Sequence, residues 1–169
     1  GKLVEQAEQW LAQRFFANEL QQGFTLIVGD QLLHQAIWAA RPDFGLPVYA
    51  KLERLVDRDD APPEYRYHPT KDLGYWHFFN AEFAQSLPYF DRAAQLASEF
   101  GMPEQHTYAQ CYRAMALCGL GEVQSAEAIM RQIAVHARGS DVFSSSAVNW
   151  AWAVLEASRG DYATALKRV

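Results

Sequence analysis

The sequence predicts an all-α fold, a right-handed superhelix of antiparallel helix pairs. Three observations support this prediction. Apolar residues recur at helical spacing along most of the chain. The one strand-like run, residues 24–28, has no second strand pattern nearby to pair with. Similar turn-and-helix segments recur about 40 residues apart. Half of the 169 residues are apolar and 14% are aromatic, which provides for a hydrophobic core and excludes a disordered chain.

Three helices are predicted in the first part of the chain. They cover residues 4–20, 24–40 and 47–56, and residues 21–23 end the first of them. The strand-like FTLIV run belongs to the second helix, because an isolated strand leaves its backbone hydrogen bonds unsatisfied. Gly29 is expected to weaken this helix, and Pro42 ends it.

Residues 57–71 are the least regular stretch, because Pro62, Pro63 and Pro69 forbid an unbroken helix across it. We expect a kink or a break at Pro69. Further helices are predicted over residues 73–79, 82–100, 108–120, 122–138 and 147–158, and a short helix begins after Gly160 and Asp161. Gly101 caps one helix and Pro103 with Glu104 begins the next.

A repeat emerges when the helix pairs are aligned on their turns. AEFAQSLPYF begins at residue 81, GEVQSAEAIM at 121 and GDYATALKRV at 160. Each copy has a small residue seven positions before its start, an apolar residue two positions after it and a small residue five positions after it. These three sets are Gly74, Ala114 and Ala153; Phe83, Val123 and Tyr162; and Ser86, Ala126 and Ala165. The small residues are expected to let helices approach closely, and the apolar residue to fill the gap between them.

This order of residues resembles the tetratricopeptide repeat, whose standard unit has about 34 residues. The units here are about five residues longer, and they lack the Trp and the terminal Pro of the standard repeat. We interpret residues 1–169 as one tetratricopeptide-like domain, with N-terminal helices and a degenerate repeat over 1–60 and clearer repeats over 70–169. An ordinary helical bundle with chance similarities is the alternative. Because the last helix stops after about two turns and the chain lacks a starting Met, we expect a fragment of a longer protein.

Residues 90–133 (FDRAAQLASEFGMPEQHTYAQCYRAMALCGLGEVQSAEAIMRQI) and 149–169 carry a second resemblance. They are similar to the helical-repeat sensor region of the large ATP-dependent bacterial transcription activators, the MalT-like family. The resemblance extends over roughly residues 73–169. It implies a non-catalytic domain that binds a small-molecule effector or a partner protein and relieves autoinhibition of a transcription regulator. The alternatives are a free-standing scaffold that binds a peptide or helix of a chaperone or secretion partner, and an enzyme on a helical frame.

The first helix of each pair is expected to line the concave surface of such an array. Its inward-facing residues form a predicted groove for an amphipathic helix or a small ligand that stacks on rings. These residues are Tyr75, Phe78, Phe79, Tyr108, Cys111, Met115, Trp150 and Val154, with Arg113 and Asn149 as polar groups at the edge. Core packing is the alternative role for each of them. In particular, Trp76, Phe79 and Phe83 are spaced to form one core face.

Motifs for catalysis, metal binding and cofactor binding are missing from the sequence. It contains no phosphate-binding G-x-x-x-x-G-K-[ST] and no G-x-S-x-G, and its five histidines lack metal-ligand spacing. The net charge of −5 argues against direct contact with nucleic acid. No apolar run is long enough to cross a membrane. Cys111 and Cys118 are expected to be buried thiols, which agrees with a reducing, cytoplasmic location.

Overall fold

The computed structural model describes the backbone of residues 2–18, 21–57, 65–136 and 142–168. Within these ranges the chain is all-α and contains no strand. The helices are α1 (Lys2–Phe16), α2 (Gln22–Trp38), α3 (Pro42–Val56), α4 (Tyr67–Phe79), α5 (Phe83–Glu99), α6 (Pro103–Gly119), α7 (Val123–His136), α8 (Val142–Ser158) and α9 (Tyr162–Leu166). The prediction of an all-α fold is therefore confirmed.

Several predicted boundaries are wrong. The predicted stop at residues 21–23 is instead the beginning of α2, because α1 already ends at Phe16. The helix α3 begins at Pro42 rather than Pro47, since proline suits the first turn of a helix. The helix α8 begins five residues earlier than predicted, at Val142.

The expected break at Pro69 is also absent. Because α4 begins at Tyr67, Pro69 lies in the first turn, where the backbone N–H groups have no partner within the helix. The missing N–H of proline therefore costs α4 nothing there. Pro62 and Pro63, the other two prolines of this stretch, lie outside the described residues.

The turns at the three aligned positions share one backbone geometry. Ala81, Gly121 and Gly160 have φ angles of 59°, 79° and 84°. In each turn the next residue donates its N–H to the carbonyl five residues earlier, over 2.9 to 3.0 Å. This hydrogen bond and the positive φ define the Schellman ending of a helix. Ala40 and Gly101 occupy two further turns of the same kind.

Ala81 occupies the turn position at which the other two copies have glycine. A positive φ brings the β-carbon close to the carbonyl oxygen and costs about 1 kcal/mol. We expect Ala81→Gly to raise the free energy of unfolding by about 0.5 kcal/mol, after the greater entropy of glycine in the unfolded chain is subtracted. Urea denaturation measures this change. The reverse substitution Gly121→Ala should lower the free energy of unfolding, and an unfavourable Ala81→Gly would contradict the shared turn geometry.

Small residues mark the places where the helices approach most closely. A β-carbon on Gly74 would lie 2.7 Å from Cε1 of Phe90. The ring of Phe83, two positions after the turn, covers Gly119 in the same way. Gly29, which we expected only to weaken α2, is a contact point, since its β-carbon would meet Leu52 and Phe15. The close packing of α2 on α1 and α3 therefore depends on glycine at this position.

The helices pack on their neighbours in the chain and also on alternate helices. The helix α2 contacts α4, and α6 contacts α8. The helices α4 and α6 meet through side chains, because the rings of Tyr75 and Tyr112 are 4.4 Å apart. The even-numbered helices α2, α4, α6 and α8 therefore pack against one another in chain order, each helix in contact with the next. Their shared side contains the candidate site.

Candidate functional site

A cavity of about 640 Å³ lies between the even-numbered helices. We call it the aromatic cavity, because six of its thirteen lining residues are Trp or Tyr. It is lined by His34, Trp38, Tyr67, His68, Lys71, Tyr75, Glu104, Gln105, Tyr108, Tyr112, Ser146, Ala147 and Trp150. All four even-numbered helices contribute to it, and the described side chains of the odd-numbered helices do not.

The lining residues recur every four positions along each helix. The stripes are His34 and Trp38 on α2; Tyr67, Lys71 and Tyr75 on α4; Glu104, Tyr108 and Tyr112 on α6; and Ser146 and Trp150 on α8. Side chains four residues apart lie on one face of a helix. The helical period therefore brings side chains from four separate segments to the same space.

The aromatic walls are built from rings in contact with one another. Tyr112 is the centre of this group, with ring centroids 4.4 Å from Tyr75, 5.2 Å from Tyr108 and 5.6 Å from Trp150. Tyr75 is buried, whereas Trp150 is 37% exposed and lies at the rim. Burial raises the pKa of Tyr75 and of Tyr112 above the usual range for tyrosine. Both side chains are therefore neutral hydrogen-bonding groups at any physiological pH.

The polar end of the cavity contains a group of ionisable side chains on α2 and α4. Lys71 Nζ lies 2.9 Å from Asp72 Oδ1, and His34 Nδ1 lies 3.1 Å from Asp72 Oδ2. The side chain of Asp72 is only 1% exposed and is absent from the cavity lining, whereas Lys71 and His34 line it. The cationic partners thus face the cavity, and the carboxylate lies behind them.

Asp30 belongs to the same charge group. Burial, together with the nearby Asp72 carboxylate, raises the pKa of Asp30 to about 7, although Lys71 opposes the shift. The hydrogen bond to Asp72 raises the pKa of His34. His68, which also lines the cavity, has its pKa lowered by burial. Charge at this end of the cavity therefore changes close to neutral pH.

The hydroxyl of Tyr75 is the cavity's unsatisfied polar group. This buried oxygen lies within electrostatic reach of the Tyr108 and Tyr112 hydroxyls, yet it forms no hydrogen bond of normal geometry with the described residues. By contrast, the Tyr67 hydroxyl donates to the Gln105 carbonyl over 2.8 Å. A buried hydroxyl without a partner is costly, so each one calls for an explanation.

Three predicted groove residues, Tyr75, Tyr108 and Trp150, line the aromatic cavity. The other predicted apolar residues do not. Met115 and Cys111 are buried in the hydrophobic core, and Phe78 and Val154 are half-buried against that core. Phe79 is 42% exposed and packs on Trp38, outside both the cavity lining and the buried core.

The predicted polar edge does not belong to the cavity either. Arg113 pairs with Asp91 of α5, on the other side of α6 from the cavity stripe. Asn149 is exposed next to Trp150 but does not line the cavity. Successive residues of an α-helix lie about 100° apart around its axis. A stripe that is chosen one residue away from the true one therefore predicts a different face of the helix.

Sequence reasoning missed the charged end and half of the aromatic wall. Trp38, Tyr67, Lys71 and Tyr112 were not predicted, although their spacing of four residues from other lining residues was available as a signal. On α6 the predicted groove face consists of Tyr108, Cys111 and Met115, at positions i, i+3 and i+7. Cys111 and Met115 are core residues. Apolar periodicity indicates the core face, and it does not reveal a mixed aromatic and charged face beside it.

A second polar cluster joins α3, α4 and α5 away from the cavity. The Tyr49 hydroxyl lies 2.8 Å from His77 Nε2 and 2.8 Å from the Tyr89 hydroxyl, and it donates to Glu53 over 2.9 Å. His77 Nδ1 also lies 2.7 Å from a carboxylate oxygen of Glu82. These bonds satisfy polar groups between packed helices.

Among the described residues, no three His, Cys, Asp or Glu side chains converge to hold a metal ion. No helix in the described part of the chain combines the length and apolar character needed to cross a membrane. No family model, curated protein or solved structure matches this chain. The aromatic cavity is therefore the feature from which a function can be argued.

Proposed function

We propose that this chain is a non-catalytic effector-sensing domain, and that the aromatic cavity binds a small molecule. The observation that carries the proposal is a space of about 640 Å³ with aromatic walls and a few charged groups at one end. Small-molecule sites typically occupy about 300 to 1,000 Å³ and combine apolar walls with a small number of polar groups. The cavity has both properties.

The proposed mechanism depends on the arrangement of the helices as a tetratricopeptide-like, right-handed superhelix. The shared turn geometry at residues 81, 121 and 160 supports this arrangement, as does the contribution of every even-numbered helix to one cavity. A molecule that contacts four helices at once binds one curvature of the array more tightly than another. Binding then raises the population of the curvature that is bound more tightly, and the difference in affinity sets the size of this shift.

The biological role that we propose is control of a cytoplasmic bacterial transcription regulator. Its support is the resemblance of residues 90–133 and 149–169 to the sensor region of MalT-like activators. In this proposal the chain binds the effector, and the ATPase and DNA-binding functions belong to other domains of a longer protein. The net charge of −5 agrees with a domain that does not itself contact DNA.

A second candidate function is a scaffold that binds a peptide or helix of a chaperone or secretion partner. The observation in its favour is the exposure of Trp38, Phe79 and Trp150, which are 59%, 42% and 37% exposed. Aromatic side chains of this kind are frequent anchors in protein interfaces. The volume of the cavity and the buried charged groups beside it favour the small-molecule proposal over this one.

The cavity proposal predicts a specific effect of Trp150→Ala. Titration with the fluorescent probe 8-anilinonaphthalene-1-sulfonate should show about tenfold weaker binding, because one wall of the cavity is removed. The melting temperature should change by only about 2 °C, since Trp150 lies at the rim.

Trp10→Ala provides the matched control. Trp10 is a 53% exposed tryptophan on α1 that does not line the aromatic cavity. This variant should bind the probe as the wild type does. Equal losses of binding in both variants would contradict the assignment of the cavity as the binding site. A large loss of stability in Trp150→Ala would place Trp150 in the core.

A further inference from the structure

We propose that the molecule bound in the aromatic cavity is a small aromatic carboxylate, whose carboxylate group pairs with Lys71 and accepts a hydrogen bond from Tyr75. This inference rests on the proposed function and names the class of effector. The ring system would lie between the Tyr and Trp side chains. The anionic group would lie at the end formed by α2 and α4.

Lys71 is the first observation behind this inference. Its side chain is only 11% exposed, yet it lines the cavity. The ammonium group is held between Asp72 Oδ1, at 2.9 Å, and the ring of Tyr75, with Nζ 4.9 Å from the centroid. An ammonium has three N–H donors, and a buried cation needs partners for all of them. An anionic oxygen in the cavity supplies such a partner.

The Tyr75 hydroxyl is an independent observation. The Tyr75 side chain lines the same cavity and is 1% exposed, and its buried hydroxyl forms no normal hydrogen bond within the described part of the chain. A hydroxyl donates one hydrogen bond, and a carboxylate has two oxygens that only accept. A carboxylate therefore has an acceptor for the Lys71 ammonium and another for the Tyr75 hydroxyl. Hydrogen bonds to a charged acceptor are also the stronger kind.

The distribution of charge argues against a cationic ligand. The Lys71 ammonium and the His34 imidazole line the cavity, whereas their partner Asp72 lies behind them. Glu104 is the one acidic residue among the described lining residues, and it is exposed in the first turn of α6. The face of the Tyr75 ring, which could attract a ligand cation, is already occupied by Lys71.

Three probes that share a naphthalene ring and carry an anionic, a neutral or a cationic polar group test the ligand class. They are 2-naphthoate, 2-naphthylmethanol and 2-naphthylmethylamine, each titrated into the full chain by calorimetry at pH 7.5. We expect the carboxylate to bind about tenfold more tightly than the alcohol, and the amine to bind most weakly. Equal affinities for the carboxylate and the alcohol would overturn the carboxylate proposal and leave the cavity function standing. Failure of all three probes, and of 8-anilinonaphthalene-1-sulfonate, to bind would overturn both.

Two variants assign the contacts. Lys71→Met should abolish the preference for the carboxylate over the alcohol, and Lys167→Met, at an exposed lysine outside the cavity, should keep it. Tyr75→Phe removes only the hydroxyl and keeps the packed ring, so it should fold and decides the question if Lys71→Met does not fold. It should weaken 2-naphthoate binding about fivefold and barely change binding of the amine. An unchanged affinity for 2-naphthoate in Tyr75→Phe would overturn the role of its hydroxyl.

Discussion

Replacement of Phe90 by alanine is expected to lower the free energy of unfolding by about 4 kcal/mol. The Phe90 ring is fully buried and contacts the rings of Tyr75, Phe78 and Tyr112, with centroids 5.9, 6.3 and 5.7 Å away. It also fills the space above Gly74, where a larger residue would clash. Truncation removes these contacts and leaves a void between α4, α5 and α6. The change is measured by urea denaturation.

Phe100→Ala is the control for this prediction. Phe100 follows the same helix α5 but is 40% exposed, so its loss should cost about 1 kcal/mol or less. Because Tyr75 and Tyr112 line the aromatic cavity, Phe90→Ala should also weaken binding of 8-anilinonaphthalene-1-sulfonate. A stability loss for Phe90→Ala no larger than that for Phe100→Ala would contradict the packing of α4 on α5.

Asp30→Asn is expected to stabilise the protein at pH 8 by about 2 kcal/mol. Burial and the nearby Asp72 raise the pKa of Asp30 to about 7, whereas an aspartate in an unfolded chain titrates near pH 4. Between these values the native state binds more protons than the unfolded state, so the free energy of unfolding falls as the pH rises from about 4 to about 7. Asparagine removes this proton linkage and the buried negative charge. The free energy of unfolding should therefore differ less between pH 4 and pH 8 in the variant than in the wild type.

The pH dependence of urea denaturation between pH 4 and 8 measures this effect. His34 acts in the same direction in both proteins, because its raised pKa contributes stability that is lost as the pH rises through that pKa. A slope near neutral pH should consequently persist in Asp30→Asn.

Two other variants provide comparisons. Asp43→Asn changes an aspartate whose side chain is 75% exposed, so it should leave the stability nearly unchanged. Asp72→Asn should destabilise the protein, because it leaves Lys71 and His34 without their shared carboxylate. If Asp30→Asn were as destabilising as Asp72→Asn, the Asp30 carboxylate would stabilise the folded state, and the prediction would be wrong.

The helical class and the turns could be predicted because both depend on local sequence. Helical periodicity decided the class, and glycine at 121 and 160 indicated turns that need a positive φ. The copy at Ala81 was found only by alignment with these two, since alanine carries no such signal by itself. The helix starts at Pro42 and Val142 were missed because the first turn of a helix has no apolar stripe of its own.

The candidate site was only partly predictable because it is formed by residues far apart in the sequence. Tyr75, Tyr108 and Trp150 were found as aromatic residues on the first helices of pairs. Lys71 and Asp72 gave no signal, since a charged pair within one helix usually indicates a solvated face. Their burial results from the packing of α2 against α4, which periodicity along one helix cannot reveal.

A crystal structure of the full chain with 2-naphthoate tests the central claim most directly. That claim is that alternate helices create one aromatic cavity with a cationic end. The predicted result is a naphthalene ring between the even-numbered helices, in contact with Tyr75, Tyr112 and Trp150. Its carboxylate would lie within hydrogen-bond distance of Lys71 Nζ and the Tyr75 hydroxyl. A structure in which the four helices do not surround a common space, or in which the probe binds elsewhere, would contradict the claim.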